Sequence, residues 1–233
     1  MERLRRLITA LRTKGYKVFQ RPYELNIVGI RSRSVVPNRF DDQIHVFFRD
    51  NSGRWVYHIY PATTDPGTFW LRQPMEPQGT AILKEGQYLN VYAIDMHRGK
   101  YLALCQRRGV VTVVRDYDRD AVLDFNNGTS YTGWYGINVH RASVEGTTKK
   151  VEKYSGGCQV FANADDFAKF MQLCENHRRL YGNVFTYTLI DLRALVRAGL
   201  RRATFAIGLS ALALAALAAG IEYASNKNES QNI

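Results

Sequence analysis

The sequence is poor in cysteine, with three in 233 residues: Cys105, Cys158 and Cys174. An odd number at wide spacing is not a disulfide framework. No C-x-x-C pair occurs, which argues against a structural zinc site and leaves each thiol to be accounted for singly. Acidic residues are scarce too: 21 Asp and Glu stand against 32 Lys and Arg, a formal net charge of +11. Such a balance favours anionic partners, whether nucleic acid, a lipid surface or a cell-wall polymer. The clustered Lys/Arg and interleaved stacking aromatics of a nucleic-acid groove are missing, so no specific nucleic-acid partner is expected. Internal repeats and low-complexity linkers are absent. The opening stretch, MERLRRLITALRTKGY, lacks the continuous apolar run of a secretory signal.

What is present is an ordinary globular composition, 45% hydrophobic and 12% aromatic, long enough to bury a sizeable core. Leu4, Leu7, Ile8 and Leu11 fall at i, i+3, i+4 and i+7 with arginines opposite, which predicts an amphipathic helix stopped by Gly15. It either docks on the domain or lies on a membrane surface. From Tyr23 to Val114, short runs rich in β-branched and aromatic residues (YELNIVGI, QIHVFFRD, RWVYHIY, GTFWL, YLNVYAID, YLALCQ, VVTVVRD) alternate with turn clusters. This pattern predicts an antiparallel sandwich or barrel. GINVH and CQVFA read as further strands, ADDFAKFMQLCENHRRLYG as a helix ended by Gly182, and VFTYTLID as a last strand. The expected class is mainly β with short helices, α+β.

After Asp191 the character changes. Arg193, Arg197 and Arg201 recur at i, i+4 and i+8, and Ala203 to Ile221 then carries no charge. As a helix these nineteen residues would span roughly 28 Å, close to the ~30 Å of a bilayer core. The segment is expected to cross a membrane or to pack against like helices. The arginines before it keep the main domain on the cytoplasmic side by the positive-inside rule. The chain thus divides into an N-terminal helix (1–22), a main domain (23–191), a basic linker (192–202), an apolar helix (203–221) and a polar tail (222–233).

The chemistry-bearing stretch is KYSGGCQVF, residues 153–161. Two glycines before a cysteine let the backbone bend sharply and a substrate approach closely. Eighteen residues upstream lies His140, in YGINVHRAS. If the two strand-like runs pair, His140 and Cys158 come within reach, and an imidazole beside a thiol lowers its pKa and generates the thiolate. Backbone N–H groups around Gly157 and Cys158 are then candidates for an oxyanion hole. Asn138, two residues before His140, belongs to the same strand face and either orients the ring or bonds to backbone. His97, in DMHRGKY, is a candidate to line the cleft. His97, His140 and Cys158 lack the tight pair spacing of a metal site, and no metal is expected. Cys105 and Cys174 read as core.

The order His140…Ser155-Gly-Gly-Cys158 resembles the signature of the L,D-transpeptidase catalytic domain, in which a histidine precedes S-H-G-C by a similar interval. YPATTDPGTFWL resembles the family's threonine, proline and glycine turn, and the helix near Asp165 is similarly placed. The resemblance covers about 60–191, its specific part 133–161. It implies a β-sandwich and a Cys158–His140 dyad acting on peptidoglycan stem peptides through a thioester, with Ser155 and Gly157 completing the catalytic turn and no cofactor. The chain departs from the pattern at two places. The family's second histidine is Gly156 here, and its arginine or asparagine two residues after the cysteine is Val160. Substrate contacts are therefore assigned to Gly156, Asn138, His97, Gln159 and Arg141, the last two as stand-ins for the missing arginine. The texture also resembles proteins carried by tailed bacteriophages, which implies a virion-associated protein and homo-oligomeric or virion partners. Two functions remain open: a transpeptidase or hydrolase, or a degenerate membrane-anchored or virion structural protein that keeps the fold without the activity.

Overall fold

The computed structural model describes residues 1–125 and 129–192. The apolar segment 203–221, the tail and all but the first residue of the basic linker lie outside them. Among the described residues no helix is long and apolar enough to cross a membrane.

Helix α1 (Glu2–Thr13) forms where the apolar spacing places it. Leu4, Leu7, Ile8 and Leu11 are all buried, so the helix docks on the domain and offers no apolar face to a membrane. Lys14, just past its end, pairs with Glu85 at 2.5 Å. Eleven strands follow: β1 (Asn26–Arg31), β2 (Asp42–Arg49), β3 (Trp55–Thr63), β4 (Thr80–Leu83), β5 (Gly86–His97), β6 (Tyr101–Gln106), β7 (Val111–Asp116), β8 (Ser130–Gly133), β9 (Val139–Arg141), β10 (Gln159–Phe161) and β11 (Phe185–Asp191). The short helix α2 (Thr68–Arg72) lies between β3 and β4, and α3 (Ala164–Tyr181) between β10 and β11.

Eight strands close into a barrel in the order β1-β11-β5-β6-β9-β10-β3-β2, while β4, β7 and β8 make a separate three-stranded sheet. The molecule is mainly β with few helices. Of the two architectures the strand pattern allowed, the main sheet takes the barrel, which leaves no open edge. The sandwich implied by the resemblance is not what these strands build. Nor is the sheet purely antiparallel, since β1 pairs with β11 and β9 with β10 in parallel. A parallel neighbour needs a crossover, and the seventeen residues between Arg141 and Gln159 supply one. GTFWL, read as a strand, forms α2 instead, behind the helix-starting Gly67.

The predicted helix stop and start hold for α3. Asn163 caps it by accepting from Asp166 N–H at 3.0 Å, and Gly182 ends it at φ 84°. Phe167, Phe170 and Cys174 are buried beneath it and Met171 packs partly against them. The barrel interior is not wholly apolar. Tyr187 O–H donates to Gln159 Oε1 at 2.8 Å, and Arg31 pairs with Asp65 at 2.7 Å while donating to the Thr64 and Leu83 carbonyls. These bonds tie β10, the strand that follows Cys158, to β11, and the turn after β3 to β1.

Candidate active site

The turn that carries Cys158 is clasped by Ser155. Its Oγ donates to the Cys158 carbonyl at 2.8 Å and accepts from Gly157 N–H at 3.1 Å, and the side chain is fully buried. Gly157 sits at φ +116°, and a Cβ there would meet the Ala81 carbonyl oxygen at 2.2 Å. Only glycine fits. A Cβ on Gly156 would press on Met75 Cε at 2.8 Å, so Met75 and Trp70 occupy the space on that side. These contacts change two of the expected roles. Ser155 and Gly157 shape the turn rather than touch a reacting group, and the Gly157 N–H, already held by Ser155, is not free for an oxyanion. Among the described residues the Cys158 N–H has no acceptor and stays available.

Parallel pairing of β9 with β10 sets the rest. Val160 lies opposite His140, Gln159 opposite Val139, and the Gln159 N–H donates to the Asn138 carbonyl at 2.8 Å. Cys158 therefore faces Asn138, and Cys158, Asn138 and His140 share one side of the sheet. From Cys158 to His140 is one strand across and two residues along, roughly 8 Å between Cα atoms from standard strand spacings. His140 is buried and does not line the pocket into which Cys158 opens; the histidine that lines it is His97. Cys158 Sγ accepts from Asn138 N–H at 3.4 Å and its thiol donates to the Gly136 carbonyl at 3.5 Å. Among the described residues no histidine nitrogen hydrogen-bonds the sulfur.

His140 stacks on His97 with ring centroids 4.1 Å apart. The two rings are in opposite tautomers, and their partners say which. Asn138 Oδ1 accepts from Gln106 N–H at 2.9 Å, so its amide nitrogen faces His97 Nδ1, 3.1 Å away. His97 Nδ1 is thus an acceptor and its Nε2 carries the proton. His140 Nδ1 lies 2.8 Å from the Arg141 carbonyl and must donate to it, which leaves Nε2 with the lone pair. Tyr101 O–H donates to that same carbonyl at 3.3 Å. Of the two rings, His140 is the one whose lone-pair nitrogen has no hydrogen-bond partner among the described residues. Asn138 orients His97, not His140.

Burial dominates the ionisation. It pushes His140 down to about 3, helped by His97 and Arg98, and His97 down to about 4. Burial also pushes the Cys158 thiol up to about 11, against the pull of the Asn138 N–H and the Arg98 charge. The resting pair is a neutral imidazole and a neutral thiol, in contrast to the lowered thiol pKa expected from the sequence.

Cys158 opens into a pocket of about 340 Å³ shared with His97, Asn138, Gly156, Trp70 and Met75, and lined by three cations, Arg98, Arg107 and Lys153. Arg107 is paired with Asp95 at 2.5 Å. The expected contacts of His97, Asn138 and Gly156 with this cleft stand as geometry. Those of Gln159 and Arg141 do not. Gln159 is fully buried and spends its amide on Tyr187, Thr64 and the Gly157 carbonyl. Arg141 lies over the Tyr101 ring at 4.4 Å and lines a different pocket, against α3. Cys105 and Cys174 are buried, which leaves Cys158 as the accessible thiol. Arg98, Lys153 and Tyr101 were not singled out from the sequence. Arg98 follows His97 in the tight β5–β6 turn at φ 51°, and that adjacency was the available signal. No family model, no curated protein and no solved structure matches this chain.

Proposed function

We propose that the protein is a cysteine acyl-transfer enzyme of the L,D-transpeptidase type, acting on peptidoglycan stem peptides. The observation that carries this reading is the parallel β9–β10 register. It runs His140 beside the strand that follows Cys158, with His140 Nδ1–H anchored on the Arg141 carbonyl and Nε2 keeping the lone pair. Substrate enters the pocket over Cys158, where Arg98 and Lys153 attract its carboxylates. The thiol sulfur attacks the scissile carbonyl carbon as its proton passes to His140 Nε2. Cys158 N–H donates to the oxyanion that forms. The tetrahedral intermediate collapses, the C–N bond breaks, and His140 returns the proton to the leaving amine. A thioester on Cys158 remains. An incoming amine or water, deprotonated by His140, then displaces the sulfur, which regains its proton. The amine gives transpeptidation and water gives hydrolysis. Because both resting groups are neutral, deprotonation accompanies attack and no thiolate–imidazolium pair precedes it.

Incubation with a carbapenem, followed by intact-mass spectrometry, tests the reading. A single adduct on Cys158, lost in Cys158→Ser, is expected, together with cleavage or exchange of purified stem peptides. An unmodified protein whose Cys158 still alkylates would sink it and favour a second reading, a membrane-anchored or virion structural protein that keeps the fold without activity. The absent sulfur–imidazole hydrogen bond and the raised thiol pKa are what favour that alternative. Under either reading we assign 203–221 to association with membrane or with like helices in a virion. Removing 200–233 is expected to abolish flotation with lipid vesicles and self-association alike; retention of both would refute the assignment.

A further inference from the structure

Gly29 stands inside β1, where a glycine weakens a strand and marks the close approach of another group. That group is Tyr187. A Cβ on Gly29 would lie 2.0 Å from the Tyr187 hydroxyl oxygen. Gly29 does not have a left-handed backbone, so what the glycine supplies is room. Tyr187 is fully buried, and its O–H donates to Gln159 Oε1 at 2.8 Å. With Oε1 so held, the Gln159 amide nitrogen faces the Gly157 carbonyl at 3.2 Å and the Thr64 carbonyl at 3.4 Å. The Thr64 carbonyl is in turn held by Arg31 Nη2 at 3.0 Å. A buried phenol thus orients an amide, and the amide grips the peptide bond that leads into Cys158.

The Gly157 carbonyl and the Cys158 N–H belong to one peptide unit. Among the described residues no peptide bond is cis, so the C=O and N–H of that unit point in opposite directions. Gln159 draws the carbonyl toward the barrel interior, which turns the N–H away from Tyr187 and Thr64. Among the described residues this N–H has no acceptor, and Gly156 and Cys158 both line the pocket. Ser155 holds the neighbouring groups of the turn, the Gly157 N–H and the Cys158 carbonyl. Gln159 holds the peptide unit between them.

We propose that Gln159 and Tyr187 are positioning residues for acyl transfer: they lock the Gly157–Cys158 peptide so that its N–H is aimed at the oxyanion before substrate arrives, and Gly29 makes the space that Tyr187 needs. The proposal rests on the enzymatic reading above. Neither side chain touches substrate. A donor fixed in advance costs no reorientation as charge develops on the substrate oxygen. The hydrogen bond accepted by the Gly157 carbonyl also polarises the peptide and strengthens its N–H as a donor.

Two reactions of the same sulfur separate this role from a merely structural one. Alkylation by iodoacetamide is a direct displacement and forms no oxyanion, whereas acylation by a carbapenem forms one. Tyr187→Phe removes only the hydroxyl, and Gln159→Met keeps the side-chain length without the amide. In each variant the acylation rate at saturating carbapenem is expected to fall at least about tenfold, with the half-saturating concentration unchanged and alkylation within about twofold of wild type. Gly29→Ala, which displaces the hydroxyl, is expected to behave like Tyr187→Phe. Thermal unfolding checks that each variant is folded, and Tyr187→Phe, the milder change, decides the matter if Gln159→Met does not fold. Acylation at the wild-type rate in folded Tyr187→Phe overturns the proposal. So does a loss of alkylation as large as the loss of acylation, which would mean that the whole turn had moved. A wild type that alkylates at Cys158 yet is never acylated removes the enzymatic reading and this proposal with it, while an acylated wild type with unaffected variants removes the proposal alone.

Discussion

Burial around the sulfur sets Cys158 at about 11 and burial of the ring sets His140 at about 3, so neither group titrates near neutrality. What distinguishes Cys158 from Cys105 and Cys174 is access. Alkylation by iodoacetamide is therefore expected at Cys158 alone. Its rate is expected to climb with pH without the step near 6.5 that a histidine-coupled thiolate would give. His140→Ala should slow labelling at pH 7 and leave it unchanged above pH 11, where solvent removes the proton directly. A plateau from pH 7 upward, measured by mass spectrometry against time, would mean that a thiolate is already present. At this scale the sequence was legible where one residue has one chemistry. The two strand-like runs that carry His140 and Cys158 do pair, as β9 and the strand that follows Cys158, though His140 itself is buried and does not line the pocket over the sulfur. The sequence was not legible where the answer depends on a distant neighbour: Gln159 looked free to bind substrate, yet Tyr187, 28 positions away, holds it inside the barrel.

The element that matters most is the crossover from β9 to β10, because its ending decides where the sulfur points. Ser155 holds that ending by two hydrogen bonds. In Ser155→Ala the Gly157 N–H and the Cys158 carbonyl lose their shared partner, a loss of about 1–3 kcal/mol. Thermal unfolding should register it as a lower Tm, and the lost anchoring as faster, less selective alkylation of Cys158. An unchanged Tm together with loss of carbapenem acylation would instead place the serine in the chemistry. Elements with a clear local signal were readable in advance: α1 from its apolar stripe, α3 from its stop at Gly182. GTFWL was not, since a short run of Phe69, Trp70 and Leu71 behind Thr68 suits either a strand or one helical turn, and the turn at Gly67 decided it. The parallel pairings were hidden for another reason. Strand direction depends on what joins the strands, and a long polar loop looks the same whether the chain returns beside its start or crosses over.

For the molecule as a whole, lowered histidines set the response to acid: among the described residues His45, His97, His140 and His177 are buried and all four are lowered, as is half-buried His58. His45 and His97 are lowered to about 4 and His140 to about 3, in each case chiefly by burial. Their unfolded values lie near 6.5, so the unfolded chain binds protons that the native state refuses. Stability from these groups is complete above pH 6.5 and falls as pH drops toward 4, by up to about 1.4 kcal/mol per pH unit for each. Asp116 works in the other direction: at about 6 in the fold, above its unfolded value, it gains stability as pH falls. Asp42 and Asp124 are raised as well and act in the same sense, but the five lowered histidines take up protons in the unfolded chain between pH 7 and pH 5, so Tm should fall clearly across that interval. His45→Gln should shallow that fall, and a flat Tm across the interval would show that the rings are solvated. The barrel also has a consequence in time. Its first strand is locked between β2 and the last strand, with Ile27 beside Tyr187. A chain that emerges in order from its N-terminus can pair β1 with β2 early, but it must wait for the final strand before the cylinder shuts. Until then β1 and β5 present raw edges, and it is during this interval of synthesis, rather than after folding, that the protein is most exposed to aggregation.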